Sequence, residues 1–305
     1  MNSKVKEKKV KATKSQLKKR TRRQRVGAGL FLAPSLIGVF AFFILPFFVV
    51  IYYSLVDNPI TANFVGFENF VKVFNNGAFK LASRNTLHFS LISVPLAVVL
   101  SLILAAMLDK NIPFRSQFRT FFLTPMMVPV ASVVLIVQVM FDMNGSVNEF
   151  LSNFGVKSID WFKSDYAQIV VVLLFLWKNL GYNMILFLSA LESIPRDIIE
   201  VAQMESANNW QIFWNIKIRY LSPTILFVTI LSLINSFKVF REVYLLTSGY
   251  PYDPLYFLQT FMNNMFGSLD YQKLSTAAII MAIAMIIIIG FLFLVESRFG
   301  KDVEE

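Results

Sequence analysis

The stretch that decides the fold is His88–Leu108, HFSLISVPLAVVLSLILAAML, which holds no Asp, Glu, Lys or Arg. A helix of about 20 mostly apolar residues, rising 1.5 Å per residue, crosses the hydrocarbon of a bilayer. Three further runs are as long and as free of charge: Ala28–Tyr53, Phe121–Phe141 and Ser275–Val295. Ala167–Ala190 carries one charge, Lys178, and Leu221–Phe240 carries one, Lys238. Buried helices of a soluble protein would need a large polar shell to shelter six such runs. This chain, 56% hydrophobic and 16% charged, has no residues to build one, since a soluble domain is about one-quarter charged. The expected fold is all-α, a polytopic membrane protein with six transmembrane helices at about 28–53, 88–108, 121–141, 167–190, 221–240 and 275–295.

The net charge of +10 would by itself point to a nucleic-acid partner. Its distribution points elsewhere. Residues 1–27 hold twelve Lys and Arg against the single acid Glu7, and the rest of the chain sums to −1. A Lys-rich segment without aromatics reads as a disordered cationic arm whose role is topology, with anionic lipid as its natural surface and no nucleic acid as partner. With that arm inside, the inside segments carry 20 basic residues and the outside segments 6; without it the comparison falls to 8 against 6. The arm therefore sets the orientation, with both chain ends (1–27 and 297–305) cytoplasmic. The first run exceeds the roughly 7–15 residues of a signal-peptide core and ends in Ile51-Tyr52-Tyr53-Ser54 rather than in a small-residue cleavage site, so it reads as an uncleaved span.

Several chemistries are excluded. There is no cysteine and only one histidine, His88, so a thiolate zinc site, a cysteine nucleophile and a two-histidine metal site are all ruled out within the chain. His88 reads as an interfacial polar residue. Pro34, Pro46, Pro95, Pro125 and Pro129 fall within spans. Membrane bundles tolerate such prolines where neighbouring helices satisfy the freed backbone groups.

The inside segment 191–220 is not loop-like. Ser193-Ile194-Pro195 reads as a helix start, with serine as cap. A short amphipathic helix follows through Ile198, Ile199, Val201, Ala202 and Met204 and breaks near Ser206-Ala207-Asn208-Asn209. Asn208 with Gln211 reads as a capping pair for a second helix through Trp210, Phe213, Trp214, Ile216 and Ile218. This helix pair, laid against the membrane, displays Glu200 and Glu205.

Residues 200–218, EVAQMESANNWQIFWNIKI, resemble the EAA loop of ATP-binding-cassette importer permeases. That motif reads Glu-Ala-Ala, three residues, Gly, nine residues, Ile-x-Leu-Pro. Glu200 and Ala202 match its first and third positions, and Ile216 and Ile218 its later apolar ones. The motif glycine falls on Ser206 and its proline on Arg219. Asn208 or Asn209 is the expected carrier of the left-handed turn that glycine normally makes. Phe64–Phe70, Asn85-Thr86, Trp177–Met184 and Ser236–Gly249 are similar, in order, to segments of the carbohydrate-importer branch of that family. The resemblance implies a coupling helix, with Glu200, Ala202, Glu205, Ser206 and Ala207 at the junction with a partner ATPase. It implies a second, related permease chain, two ATPase subunits, an extracytoplasmic sugar-binding protein and a bacterial cytoplasmic membrane. No cofactor is expected in this chain. A phosphate loop needs Gly-x-x-x-x-Gly-Lys-Ser/Thr, and Gly300-Lys301 is followed by Asp302, so ATP and Mg belong to the partner ATPase.

Ionisable groups at bilayer depth are costly and in transporters face a substrate path. Trp177, Lys178, Asn179, Tyr182 and Asn183 on the fourth span, and Asn235, Lys238 and Arg241 on the fifth, are the candidate path residues. Phe237 and Phe240 add flat apolar faces of the kind that pack on sugar rings. Glu242 stands four residues from Lys238 and is a candidate partner for it. The competing role for these polar groups is helix–helix hydrogen bonding or snorkelling. A channel or secondary carrier is the alternative class. No repeated-arginine span, no Thr-Val-Gly-Tyr-Gly filter and no internal repeat supports it. An intramembrane enzyme would need catalytic motifs that are missing.

Overall fold

The computed structural model describes residues 28–299 except Leu30 and Asn111. The basic arm 1–27 and residues 300–305 lie outside the described residues, as does the reading of their topology. Within the described part every regular element is helical, and strand-like pairing is confined to one isolated bridge between Val56 and Phe64.

Among the described residues five helices are long and apolar enough to cross a membrane, and one bent helix pair makes a sixth if it is counted as a single span. Helix α1, Phe31–Ser54, contains a π turn at Phe40–Ile44 just ahead of Pro46, whose missing N–H and bulky ring disturb the preceding turn. After a short α2, Glu68–Asn75, Asn76 starts α3 by accepting a bond from the Phe79 N–H at 3.1 Å. Helix α3 runs Gly77–Asp109 with Pro95 inside it, so it begins eleven residues ahead of the apolar run. Asn85 and Thr86 lie within this helix and are buried. The Asn85 amide donates to the backbone carbonyl of Asp253 at 2.6 Å, and the Thr86 hydroxyl accepts from the Leu258 N–H at 2.9 Å.

The expected third span is two helices, α4 at Arg115–Met127 and α5 at Val130–Met140, bent by 97°. Val128 and Pro129 are both extended at the junction, with ψ near 130°. The ring of Pro129 forces this, because it clashes with an α-helical predecessor. A short α6, Ser146–Ser152, precedes α7, Ala167–Glu192. The inner segment supplies α8, Arg196–Met204, and α9, residues 209–220. The fifth crossing is α10, Ser222–Phe237, continued after a break by α11, Phe240–Leu246. It thus reaches six residues past the predicted end. Helices α12, Leu258–Gly267, and α13, Tyr271–Phe299, complete the chain.

Helices α3 and α7 share the most extensive interface, with α10 against α3 and α1 against α13 next. The α3 seam is a stripe of small residues. Ser93, Ala97, Ser101 and Ala105, spaced by four, are all 0% exposed, so backbones approach closely. Buried polar bonds tie α10 to both partners: Ser90 of α3 to Ser236 at 2.8 Å and Asn183 of α7 to Ser232 at 2.9 Å. Helices α1 and α13 turn their apolar side chains outward, Phe31, Phe42 and Ile286 among them, as lipid-facing helices do.

In the loop after α1, Asp57 accepts from the backbone N–H groups of Asn58 (2.7 Å) and Asn63 (2.9 Å) and from the Thr61 hydroxyl. Desolvation pushes this carboxyl up, but these donors and the Asn63 amide outweigh it and hold it below the usual carboxylate range. The turn is therefore firm above that range and loosens as pH falls through it.

One contact admits a single residue type. A Cβ on Gly181 of α7 would stand 1.8 Å from the backbone oxygen of Phe122 in α4. No side-chain adjustment relieves an overlap with backbone. Gly181→Ala should force α4 from α7 and cost about 1–3 kcal/mol. The check is the thermal midpoint of the detergent-solubilised protein, and an unchanged midpoint would show that the two helices are not this close.

Candidate translocation cavity and coupling loop

Two interruptions of helix lie near the Lys178–Glu242 pair. One is the Val128-Pro129 bend. The other is at Lys238-Val239, where α10 ends in a tightened turn, the Lys238 N–H bonding the Asn235 carbonyl at 3.1 Å. Backbone that leaves the helix at bilayer depth survives only against protein or a polar cavity. Here it meets a cavity of about 430 Å³, within the range of small-molecule sites. Its polar wall is Lys178, Asn179 and Tyr182 from α7, Asn235 from α10, and Lys238, Arg241 and Glu242 at and beyond the break. Met126, Phe175 and Leu231 are among its apolar residues.

Six of the eight predicted path residues are thus brought together. Trp177 is not among them: it lies in a narrow crevice with Pro125, Val128 and Val130, adjoining Lys178 and Glu242. Asn183 is a correction. It is 1% exposed and donates to Ser232, because its position on α7 faces the seam with α10. Phe237 is likewise buried in the apolar core beside Phe261 and Leu258, while Phe240 packs against Tyr244 at 5.5 Å. The Asn179 side-chain oxygen accepts from the Asn235 amide at 2.9 Å, and its own amide donates to the Phe175 carbonyl at 2.8 Å.

The expected pairing of Glu242 with Lys238 is also corrected. Glu242 forms its salt bridge with Lys178. The break at Lys238-Val239 destroys the helical register that a four-residue pair requires, and turns the buried Glu242 carboxylate toward α7. Sequence reading left Glu242 out of the path. The signal that was available is a buried-type position for an acid opposite a lone mid-span lysine. His88 is exposed and bonds Gln168 at 2.8 Å.

At the far end of α7 the chain turns into segment 191–220, the candidate coupling loop. Ser193 does not start α8: its hydroxyl bonds the Ala190 carbonyl at 2.7 Å and closes α7. Pro195, in extended geometry, is the residue that precedes α8. Leu191, Ile194, Ile212 and Leu221 are buried and anchor both ends of the loop, and ion pairs brace it. Lys217 meets Asp109 at 2.5 Å, and Arg115 and Arg119 meet Glu192 at 2.7 and 2.6 Å. Helix α8 itself has no buried residue. Ile199 leans on the inner core. Glu200, Val201, Met204 and Glu205 are exposed, while Ala202 and Ala207 are half-buried.

The turn after α8 is made by Ser206, with φ +65°, and not by an asparagine. Asn208 is extended, with φ −77° and ψ 163°, and caps α9 in the predicted reciprocal box with Gln211, both bonds 2.9 Å. Ser206 N–H bonds the Gln203 carbonyl and Ala207 N–H the Ala202 carbonyl, each at 3.0 Å. That is a Schellman stop, built at a residue without glycine's freedom.

The fold defines a polytopic α-helical membrane protein. The chain belongs to the family of binding-protein-dependent transport system inner membrane components, whose model matches residues 97–304; it is a permease subunit and not an enzyme. It is 30% identical to the lactose transport system permease protein LacF of Rhizobium radiobacter, over 73% of this chain and 77% of that one. It is 30% identical to the multiple sugar-binding transport system permease protein MsmF of Streptococcus mutans, over 90% of this chain and 95% of that one. A chain in the crystal structure of a bacterial ABC transporter importing the acidic polysaccharide alginate has the same fold. Its TM-score is 0.79 at 23% identity, covering 93% of this chain and 99% of that one.

Two predictions follow from this geometry. Lys178→Met alone leaves Glu242, 8% exposed, without its partner, and should destabilise the protein by about 2–4 kcal/mol, toward the low end because Lys178 is 40% exposed. Adding Glu242→Gln should restore much of that loss in a double-mutant cycle of thermal midpoints; additive losses would disprove the pair. Ser206→Gly should stabilise the loop by up to about 1 kcal/mol and Ser206→Val should weaken it, as read by hydrogen exchange at the Ala207 amide. A glycine variant that exchanges faster there contradicts the left-handed turn.

Proposed function

We propose that this chain is the membrane-embedded translocating subunit of an ATP-driven importer of a sugar or oligosaccharide. The observation that carries the proposal is α8: a short amphipathic helix anchored at both ends, with exposed Val201 and Met204 flanked by Glu200 and Glu205. An exposed apolar pair ringed by acids is a docking face, and here it belongs to a partner ATPase that binds ATP and Mg. Two ATPase subunits, a second permease that is a related but different chain, and an external sugar-binding protein complete the assembly. Docking of the binding protein falls to the loops 54–87 and 246–274. Both chain ends and α8 are cytoplasmic, and the membrane is the bacterial cytoplasmic membrane. Support for a sugar as cargo comes from the relatives named above. Support for a binding protein comes from a structurally similar alginate transporter solved in complex with an alginate pentasaccharide-bound periplasmic protein.

In this reading α7 and α10 join the two sites. Helix α7 carries Lys178 and Asn179 at mid-length and ends at the loop; α10 leaves the loop at Leu221 and carries Asn235 to the break. Movement of α8 is therefore delivered to both cavity walls.

The test is co-purification of the chain with its co-expressed permease and ATPases, followed by ATP hydrolysis with and without the loaded binding protein. Stimulation is expected, and Glu200→Ala should reduce it by about tenfold or more, or release the ATPase, as loss of one member of an interfacial charge contact does. Full transport by this chain in liposomes without ATP would overturn the proposal.

A further inference from the structure

The charges of the cavity do not balance. Its wall holds three cations, Lys178, Lys238 and Arg241, and one anion, Glu242. Lys178 and Glu242 neutralise each other. Lys238 and Arg241 remain, both exposed to the cavity, and neither has an ion-pair or side-chain hydrogen-bond partner among the described residues. A cation at this depth is costly unless it is solvated or paired. Two of them on one wall give a local positive potential within low-dielectric surroundings, which concentrates anions and repels cations.

The neighbouring groups define the rest of the ligand. The Asn179–Asn235 amide pair and the Tyr182 hydroxyl offer donors and acceptors for hydroxyl groups. Phe175 and Met126 offer apolar surface. Arg241 presents a planar fork that fits an oxyanion through two bonds, and Lys238 adds a point charge. Both stand at or just past the helix break, where the fifth span is free to differ from a plain apolar helix.

We infer that the solute this permease passes is an acidic saccharide, a sugar bearing a carboxylate, phosphate or sulfonate, and that Lys238 and Arg241 hold its anionic group during passage. The inference rests on the importer reading above. It narrows that reading from sugars in general to those with an oxyanion.

The experiment uses proteoliposomes holding the whole complex with its binding protein and internal ATP. Labelled probes are supplied as matched pairs: cellobiose and cellobiouronate, galactobiose and digalacturonate, glucose and glucose 6-phosphate, glucose and sulfoquinovose. Uptake of an acidic member without its neutral partner is expected, and the preferred pair tells carboxylate from phosphate and sulfonate. Lys238→Gln and Arg241→Gln should each lower that uptake about tenfold or more, with partial recovery in Arg241→Lys. Equal uptake of the neutral member overturns the inference. So does acid uptake unchanged in both glutamine variants, which would place the partners of these cations on the second permease. The wild-type preference within a pair is read without any variant, so a misfolded variant does not decide the matter. Absence of uptake for every probe also counts against it. If ATP hydrolysis in that preparation still responds to the binding protein, the importer reading stands and the acidic cargo alone falls; if it does not respond, both fall.

Discussion

Lipid is as apolar as leucine, so a helix in a bilayer has no hydrophobic reason to join its neighbours. Close approach and hydrogen bonds must do it, and the whole bundle follows from where they are available. Helix α3 supplies the approach, with Ser93, Ala97, Ser101 and Ala105 aligned and fully buried. Helix α7 supplies it again at Gly181, where α4 crosses almost backbone to backbone. The Ser90–Ser236 and Asn183–Ser232 bonds then tie the central helices where side chains are too small to pack further. Helices that lack such a stripe, α1 and α13, pair with each other and face outward.

The same scarcity of solvent explains where the cavity lies. A backbone polar group at bilayer depth cannot be left to lipid, so the two helix breaks need polar surroundings, and they share them. The Lys238-Val239 break lines the space that Lys178, Asn179, Asn235 and Glu242 make polar, and Val128 at the bend lines the adjoining crevice beside Lys178 and Glu242. Burying Glu242 is tolerable only because Lys178 meets it. Lys178 and Glu242, Met126 on the near side of the bend, and the Lys238-Val239 break all line this one polar region.

How much of this was legible depends on the range of the interaction concerned. Runs of uncharged residues are local, and five of the six expected spans fall on helices long and apolar enough to cross a membrane, while the third is a pair bent by 97°. The start of α3 was missed because residues 77–87 include Lys80 and Arg84; a helix can leave the apolar layer and continue. The Asn208–Gln211 box is a three-residue pattern and was readable for that reason. Asn183 and Glu242 were misjudged for the opposite reason. Sequence shows that a polar side chain is at depth but not whether it faces a cavity or another helix, and an i,i+4 pairing assumes an unbroken helix. The 97° bend was signalled by Pro125 and Pro129 as a kink, yet its size is set by how α4 is held to α7 and α5 to α11.

The coupling loop poses the sharper physical question of how an exposed helix can be stiff. Helix α8 buries nothing completely, so packing does not hold its direction. Hydrogen bonds do. Between Ala202 and Gln211 the chain makes a Schellman stop and a reciprocal cap, and their four bonds fall within ten consecutive residues. Ser206 bears the left-handed conformation between them at a cost that glycine would not incur. The extended Asn208 then starts α9, which the buried Ile212 and the Lys217–Asp109 ion pair fix to the bundle. At its other end α8 has no cap bond, and there the buried Leu191 and Ile194 hold the chain to the bundle. A helix fixed by turn chemistry at one end and by apolar anchors at the other keeps its direction while its outer face stays exposed.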